Sequence, residues 1–197
     1  MRRKGGNSRE GNLTISVVVS AFNEEAHIAR LLRSLKSQTR PPREIIVIDD
    51  GSRDRTGEIA EANGAAVVRM AHRGPARGRN VGAARATGDV LVFLDGDMAC
   101  APAFLERLVA PMDSPEVAGT FTRDIYIGNL ENRWASAYAA LRSLRDGRLL
   151  PSDFPDVWDN FRAVRRELFL AVGGYEDVGY GEDRTLAVIL NARRNEI

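Results

Sequence analysis

Short unbroken apolar runs alternate along the first hundred residues with stretches of helical periodicity. Leu13–Ser20 (LTISVVVS), Glu44–Ile48 (EIIVI), Ala65–Met70 and Val90–Leu94 (VLVFL) are β-branched or apolar runs too short for helices. Such runs, bounded by Gly, Pro, Asp and Ser, read as strands buried on both faces of a parallel sheet. Between them the spacing changes to 3.6. Ile28, Leu31, Leu32 and Leu35 share one face of a helix spanning roughly Glu25–Ser37, with Glu24 and Glu25 enriching its first turn. A second helix falls within Ser52–Asn63, with Asp54 or Thr56 as its cap. A third, Arg77–Ala86, is rich in small residues and suited to close packing on the sheet, and a fourth follows Pro102 over Ala103–Met112. Strand, helix, strand at this spacing is the right-handed parallel crossover.

The second half is less regular. Val117–Ile127 reads as one or two strands, and Leu130–Arg145 as a helix carrying Trp134, Tyr138, Leu141 and Leu144, with Trp134 read as core or groove wall. Leu150–Asp159 reads as a loop, and Phe161–Val172 as containing a helix that breaks at Gly173-Gly174. A last helix is expected from Asp183 to Ala192. The expected class is α/β: a three-layer α/β/α arrangement around a mostly parallel sheet. It has a basic arm at 1–12, a first half at 13–112 and a second half at 113–197 of the same domain.

Composition narrows this picture only a little. The chain has 197 residues, 44% of them hydrophobic and 28% charged, an ordinary globular balance. A net charge of +1 gives no electrostatic reason to expect nucleic acid as a partner. The single cysteine, Cys100, excludes an intramolecular disulfide and reads as a small core filler. No apolar run reaches the ~20 residues of a membrane span, and the opening arm lacks the apolar core of a secretory signal. A cytoplasmic location is therefore expected. The arm's Arg2, Arg3, Lys4 and Arg9 offer a contact to anionic lipid at the cytoplasmic face, against the simpler reading of a solvated tail.

The candidate chemistry lies where apolar strands run into acids. Val90–Leu94 leads into Asp95-Gly96-Asp97, and Glu44–Ile48 into Asp49-Asp50. In open α/β sheets, ligands bind at the carboxyl ends of the strands. Two carboxylates facing one point repel unless a cation lies between them, and a hard divalent ion holding a diphosphate suits that place. A strand-to-turn corner with solvated aspartates is the alternative for Asp95 and Asp97. Arg77, Arg79 and Asn80 form a basic, Gly-containing segment nearby in sequence. A guanidinium there suits phosphate, or is simply a solvated helix residue. A third acidic corner, Glu182-Asp183, reads equally as acids complementing a helix N-terminus.

The order VVVSAFNEE, IIVIDDGSRDRT, ARGRNVGAARATGDVLVFLDGD, AVGGY and GED resembles the inverting nucleotide-sugar glycosyltransferases of the GT-A fold, family 2. The likeness runs from Ile15 to about Leu190. It implies that Ala21, Phe22 and Glu24 line the nucleotide, and that one of Asp49 and Asp50 accepts a hydrogen bond from the base, typically uracil. Arg79 and Asn80 match the family's Arg-Asn. Asp95, Gly96 and Asp97 match its metal-binding DxD, with Asp97 the first choice as direct ligand of Mg²⁺ or Mn²⁺. Asp183 matches the general base, with Glu182 beside it. The reaction implied is metal-dependent inverting transfer from a UDP-sugar to a glycan or lipid-linked acceptor, as in surface polysaccharide or glycolipid synthesis. Only fourteen residues follow Asp183, so a C-terminally truncated form is expected. The other readings are a donor-binding domain without transfer and a nucleotidyltransferase. The last normally carries a basic loop after its first strand, where this chain has Ala21-Phe22-Asn23-Glu24.

Overall fold

The computed structural model describes residues 13–122, 124–128, 131, 133–142, 144, 147–149 and 161–177. Four strands, β1 (Ile15–Ala21), β2 (Glu44–Asp49), β3 (Ala66–Arg69) and β4 (Val90–Asp95), form a parallel set. They alternate with helices α1 (Ile28–Lys36), α2 (Thr56–Ala62) and α3 (Pro75–Arg85). Helix α4 (Phe104–Val109) follows and tightens into a 3₁₀ turn over Ala110–Asp113. Strand β5 (Gly119–Thr120), helix α5 (Arg133–Leu141), strand β6 (Ala163–Arg165) and helix α6 (Arg166–Ala171) complete the described elements. The sheet order is β3-β2-β1-β4-β6-β5, with β6 antiparallel to both β4 and β5.

The period of two in β1 explains why its sequence is apolar throughout. Ile15, Val17, Val19 and Ala21 face a core built with α1 and α4, while Val18 faces a second core built with α3 and α6. Ile28, Leu31, Leu32 and Leu35 of α1 are completely buried, as their spacing requires. On the other face α3 lies very close to the sheet. A Cβ on Gly82 would stand 2.3 Å from Val18 Cγ1, so glycine is what allows the approach. The expected three-layer α/β/α fold with a mostly parallel sheet is the one observed.

Several local expectations are corrected. Glu24 and Glu25 do not belong to the first turn of α1, which opens at Ile28 after a turn closed by His27 N–H and Ile28 N–H donating to the Glu24 carbonyl. Phe161–Val172 does contain the expected helix, α6, but an unexpected strand precedes it: Ala163–Arg165 pairs with β4 and β5. A three-residue strand shows too little alternation to be separated from the helix that follows it. Among the described residues, the strand expected within Val117–Ile127 is the two-residue β5, joined by a bridge from Tyr126 to Arg148. Helix α5 exists, with Tyr138 and Leu141 exposed, and Trp134 is exposed rather than core. The expected loop over 150–159 and the last helix, with Glu182 and Asp183, lie outside the described residues.

Candidate functional site

Strand register brings the acids together. Ala21 at the end of β1 lies opposite Asp49 of β2, and Ser20 opposite Asp95 of β4. The chain leaves β1 toward β2 and β3 on one side and returns on the other as β4, so β1 and β4 flank the topological switch point. That is where an open α/β sheet presents its ligand crevice. Backbone bonds close the edge: Asp50 N–H donates to Ala21 C=O at 2.9 Å, and Gly96 N–H to Ser20 C=O at 3.0 Å.

The loop after β1 is stitched to the loop after β2. Asn23, left-handed at φ 57°, receives Arg53 N–H on its side-chain oxygen and donates its own N–H to Ser52 Oγ. Glu24 N–H donates to Thr56 Oγ1 at 2.7 Å and Glu25 N–H to Asp54 Oδ2. Asp54 also accepts from Thr56 N–H in a local turn ahead of α2, whose N-cap is Arg55 rather than the expected Asp54 or Thr56. Glu24 is thereby carried over the Asp95-Gly96-Asp97 corner. A Cβ on Gly96 would meet Glu24 Cγ at 2.9 Å, so Gly96 is required for this approach, not for a left-handed turn. The Glu24 carboxylate pairs with His27 Nδ1 at 2.9 Å.

The two aspartates at the end of β2, Asp49 within it and Asp50 just beyond, are buried and internally bonded. Asp49 Oδ1 accepts from Ser52 N–H at 2.9 Å. Asp50 accepts from Arg73 N–H on one oxygen and Gly74 N–H on the other, both at 2.8 Å, and pairs with His72 Nδ1 through Oδ2 at 2.9 Å. His72 in turn lies against Phe22, ring centroids 4.2 Å apart and tilted by 30°.

Asp95 and Asp97 differ. Asp95 Oδ1 receives a 2.8 Å bond from Arg79, which is 8% exposed, and its Oδ2 lies 3.6 Å from Arg162 Nη1. Asp97 is exposed, and among the described residues its carboxylate carries no ion pair, while its carbonyl accepts from Arg30. Arg79 is therefore not a solvated helix residue; its guanidinium is committed to Asp95 and lies over the Tyr175 ring at 5.8 Å. Asn80 does not point to the sheet edge either. Its amide donates to Tyr175 C=O at 2.8 Å and its oxygen accepts Tyr175 N–H at 2.9 Å, clamping the Gly173-Gly174-Tyr175 turn. Both glycines of that turn have positive φ, and a Cβ on Gly174 would collide with Asn80 Oδ1 at 2.4 Å. Arg162 was not foreseen. It lies just before β6, a strand too short to show in the sequence, so its place beside β4 was hidden.

Among the described residues no three His, Cys, Asp or Glu side chains converge as a ready-made metal cage. Asp95 and Asp97 still supply hard oxygen donors of the kind Mg²⁺ and Mn²⁺ take when phosphate and water complete the shell. Cys100, partly buried, has its thiol pushed up to about 11 by burial, against the lowering influence of Ser34 and Arg162, and has no nucleophile's character.

A Rossmann-like sheet with acids at its switch point, extended by an antiparallel strand on the β4 side, is the architecture of the GT-A glycosyltransferases. Residues 16–173 match the model of glycosyl transferase family 2, and the chain belongs to that family. An undecaprenyl-phosphate 4-deoxy-4-formamido-L-arabinose transferase of Pseudomonas paraeruginosa is 31% identical over 169 residues, covering 80% of this chain and 49% of that one. The glycosyltransferase AglE of Haloferax volcanii is 33% identical over 125 residues, covering 59% of this chain and 39% of its own. The chain thus spans well under two thirds of these relatives. Among solved structures, the glucosyl-3-phosphoglycerate synthase of Mycobacterium tuberculosis with UDP superposes with a TM-score of 0.65 and 29% identity, covering 98% of this chain and 72% of that one. The same enzyme with Mn²⁺, UDP and glucosyl-3-phosphoglycerate gives 0.64 and 30%, covering 92% and 66%.

Proposed function

We propose that this chain binds a nucleotide-diphosphate sugar, UDP-linked as first choice, and transfers the sugar with inversion to an acceptor hydroxyl on a glycan or lipid-linked carrier. The observation that carries this reading is the register that sets Ala21 beside Asp49 and Ser20 beside Asp95 at the switch point, with Phe22 and Glu24 immediately beyond β1. The solved relative with Mn²⁺ and UDP supports the choice of ligands.

Phe22 offers an aromatic face for the base, and Asp50 a carboxylate for a ring N–H. Helix α3 begins at Pro75, after β3, so its N-terminus lies at the same edge and favours negative charge there. Arg77, half exposed in its first turns, is better placed than buried Arg79 to meet a diphosphate. Asp97, with Asp95 beside it, would hold Mg²⁺ or Mn²⁺, which when bound offsets the charge that develops on the leaving diphosphate. Arg79 and Arg162 hold the Asp95 carboxylate in place. Asp183, by its place in the family pattern, takes the proton of the attacking hydroxyl, with Glu182 its neighbour; attack opposite the leaving group inverts the sugar carbon.

The test is UDP binding by calorimetry, with and without Mn²⁺, on the whole chain and on Asp97→Asn. Metal-enhanced binding that Asp97→Asn abolishes is expected. Equal UDP affinity in both proteins with Mn²⁺ present would remove Asp97 from the site.

A further inference from the structure

The place proposed for the base already holds a ring of this chain. The His72 imidazole lies on Phe22 with centroids 4.2 Å apart, which leaves no room for a third ring between them. Its Nδ1 stands 2.9 Å from Asp50 Oδ2 and 3.0 Å from the Asp50 carbonyl oxygen. Both are acceptors only, so Nδ1 must carry the hydrogen and donate it. A planar ring, stacked on an aromatic and giving a ring N–H to a carboxylate, is what a uracil base would present through its N3–H. We propose that His72 is an internal surrogate for the base: it fills the base subsite in the unliganded protein, and nucleotide binding displaces its ring. This rests on the reading of Phe22 and Asp50 as the base subsite.

The surroundings allow such an exchange. The His72 backbone is anchored, since Met70 N–H bonds Asp49 C=O and Gly51, at φ 80°, lets the chain approach to 2.8 Å from its virtual Cβ. The side chain is not anchored in the same way, being 58% exposed. Asp50 keeps Arg73 N–H and Gly74 N–H whether or not the imidazole is present, so the carboxylate stays oriented. Each carboxylate oxygen accepts two donors, and on Oδ2 the second is exchangeable between His72 and a base. The same geometry sets a preference. Uracil and thymine supply a ring N–H at this place; cytosine presents a lone pair there, which the Asp50 carboxylate repels.

The experiment is calorimetric titration of the whole chain with UDP and with CDP, in Mn²⁺, for the wild type, His72→Ala and Phe22→Ala. Because removing the surrogate removes a competitor, His72→Ala should bind UDP about threefold to tenfold tighter, the scale of one ordinary net hydrogen bond. Phe22→Ala should bind it more weakly, and CDP should bind more weakly than UDP throughout. If Phe22→Ala weakens UDP but His72→Ala matches the wild type or is weaker, the surrogate role is overturned and the base subsite stands. If Phe22→Ala has no effect, or no nucleotide binds any of the three, the subsite itself is overturned and the surrogate with it. A second readout follows the imidazole itself in the wild type, with His72→Ala used for assignment. The chain has two histidines, His27 and His72, so the imidazole Cε1–H resonances are few. Saturating UDP should move one of them, absent from His72→Ala spectra, toward the position of a solvated ring. A His72 signal unmoved at saturation would overturn the proposal.

Discussion

At the residue scale, Asp95 and Asp97 show how one glycine between two acids separates two roles. Asp95 faces two guanidinium groups, Arg79 at 2.8 Å and Arg162 at 3.6 Å, and belongs as much to the protein's own electrostatics as to any ligand. Asp97 projects into solvent. Substitution should separate them. Asp95→Asn leaves the buried Arg79 facing a neutral amide. Breaking a fully buried pair costs about 3–5 kcal/mol, but Asp95 is 38% exposed, so solvent screening reduces this to roughly 1–2 kcal/mol. A fall in Tm of several degrees is expected for Asp95→Asn and none for Asp97→Asn, read in parallel thermal melts. Equal melting temperatures would mean that the Arg79 pair contributes nothing to stability. The three motif residues Arg79, Asn80 and Asp95 were legible as a group in the sequence. That Arg79 and Asn80 support the site from beneath was not, because orientation on a helix depends on what the opposite face packs against.

At the scale of elements, the sheet is held in register by more than its ladder. Glu44, at the start of β2, accepts on one oxygen from Ser16 Oγ at 2.6 Å and from Thr87 N–H and Oγ1, both at 2.7 Å. Ser16 Oγ in turn accepts Gly88 N–H at 2.8 Å, tying β1, β2 and the turn into β4. Partial burial raises the Glu44 carboxyl, but the bonds from Ser16 and Thr87, with the Arg43 charge, outweigh it and hold the group below its ordinary 4.5. A carboxylate whose folded value is depressed contributes stability that is present above the unfolded value and lost as pH falls through the folded one. The melting temperature should therefore drop as pH is lowered from 5 toward 3. Glu44→Gln should be less stable at pH 7 and show a smaller drop over that window. An identical pH dependence in both proteins would show that Glu44 is not among the groups responsible. The elements themselves were mostly readable: β1, β2 and β4 are short apolar runs, α1 follows a helical apolar period, and α3 shows in its small residues. The short β6 was not, because three residues carry no period and their pairing is decided by neighbours distant in sequence.

At the scale of the whole molecule, the tie that matters most joins residues 95 apart. Asn80 on α3 makes two bonds to the backbone of Tyr175, after the double-glycine turn that ends α6. Tyr175 packs edge-on against Phe93 and Phe169, closing the second core. This links the end of the described chain to the helix that follows β3 and to the strand that ends in Asp95. Asn80→Ala removes two partly buried hydrogen bonds and leaves a backbone N–H and C=O in search of partners, a cost of about 1–3 kcal/mol. Faster hydrogen exchange should be confined to 169–175 and the facing turn of α3, with the parallel strands keeping their protection. Exchange that rises uniformly across the sheet would mean the tie is part of global stability rather than a local clamp. No helix among the described residues is long and apolar enough to cross a membrane. Helix α5 nevertheless presents Trp134, Tyr138 and Leu141 outward, with Arg133 over the Trp134 ring and Arg142 over Tyr138.

The sequence by itself determined the parallel sheet, the order of its helices and the place of the acids at strand ends. Those properties are local: a run buried on both faces must be apolar along its length, and a charge at its end must leave the core. The tertiary structure alone decided which acid is shared with arginine and which faces solvent, that Asn80 holds Tyr175, and that His72 lies on Phe22. Each of those depends on two segments meeting across tens of residues, and the energy that fixes them is exchanged between side chains whose sequence neighbours carry no trace of the encounter.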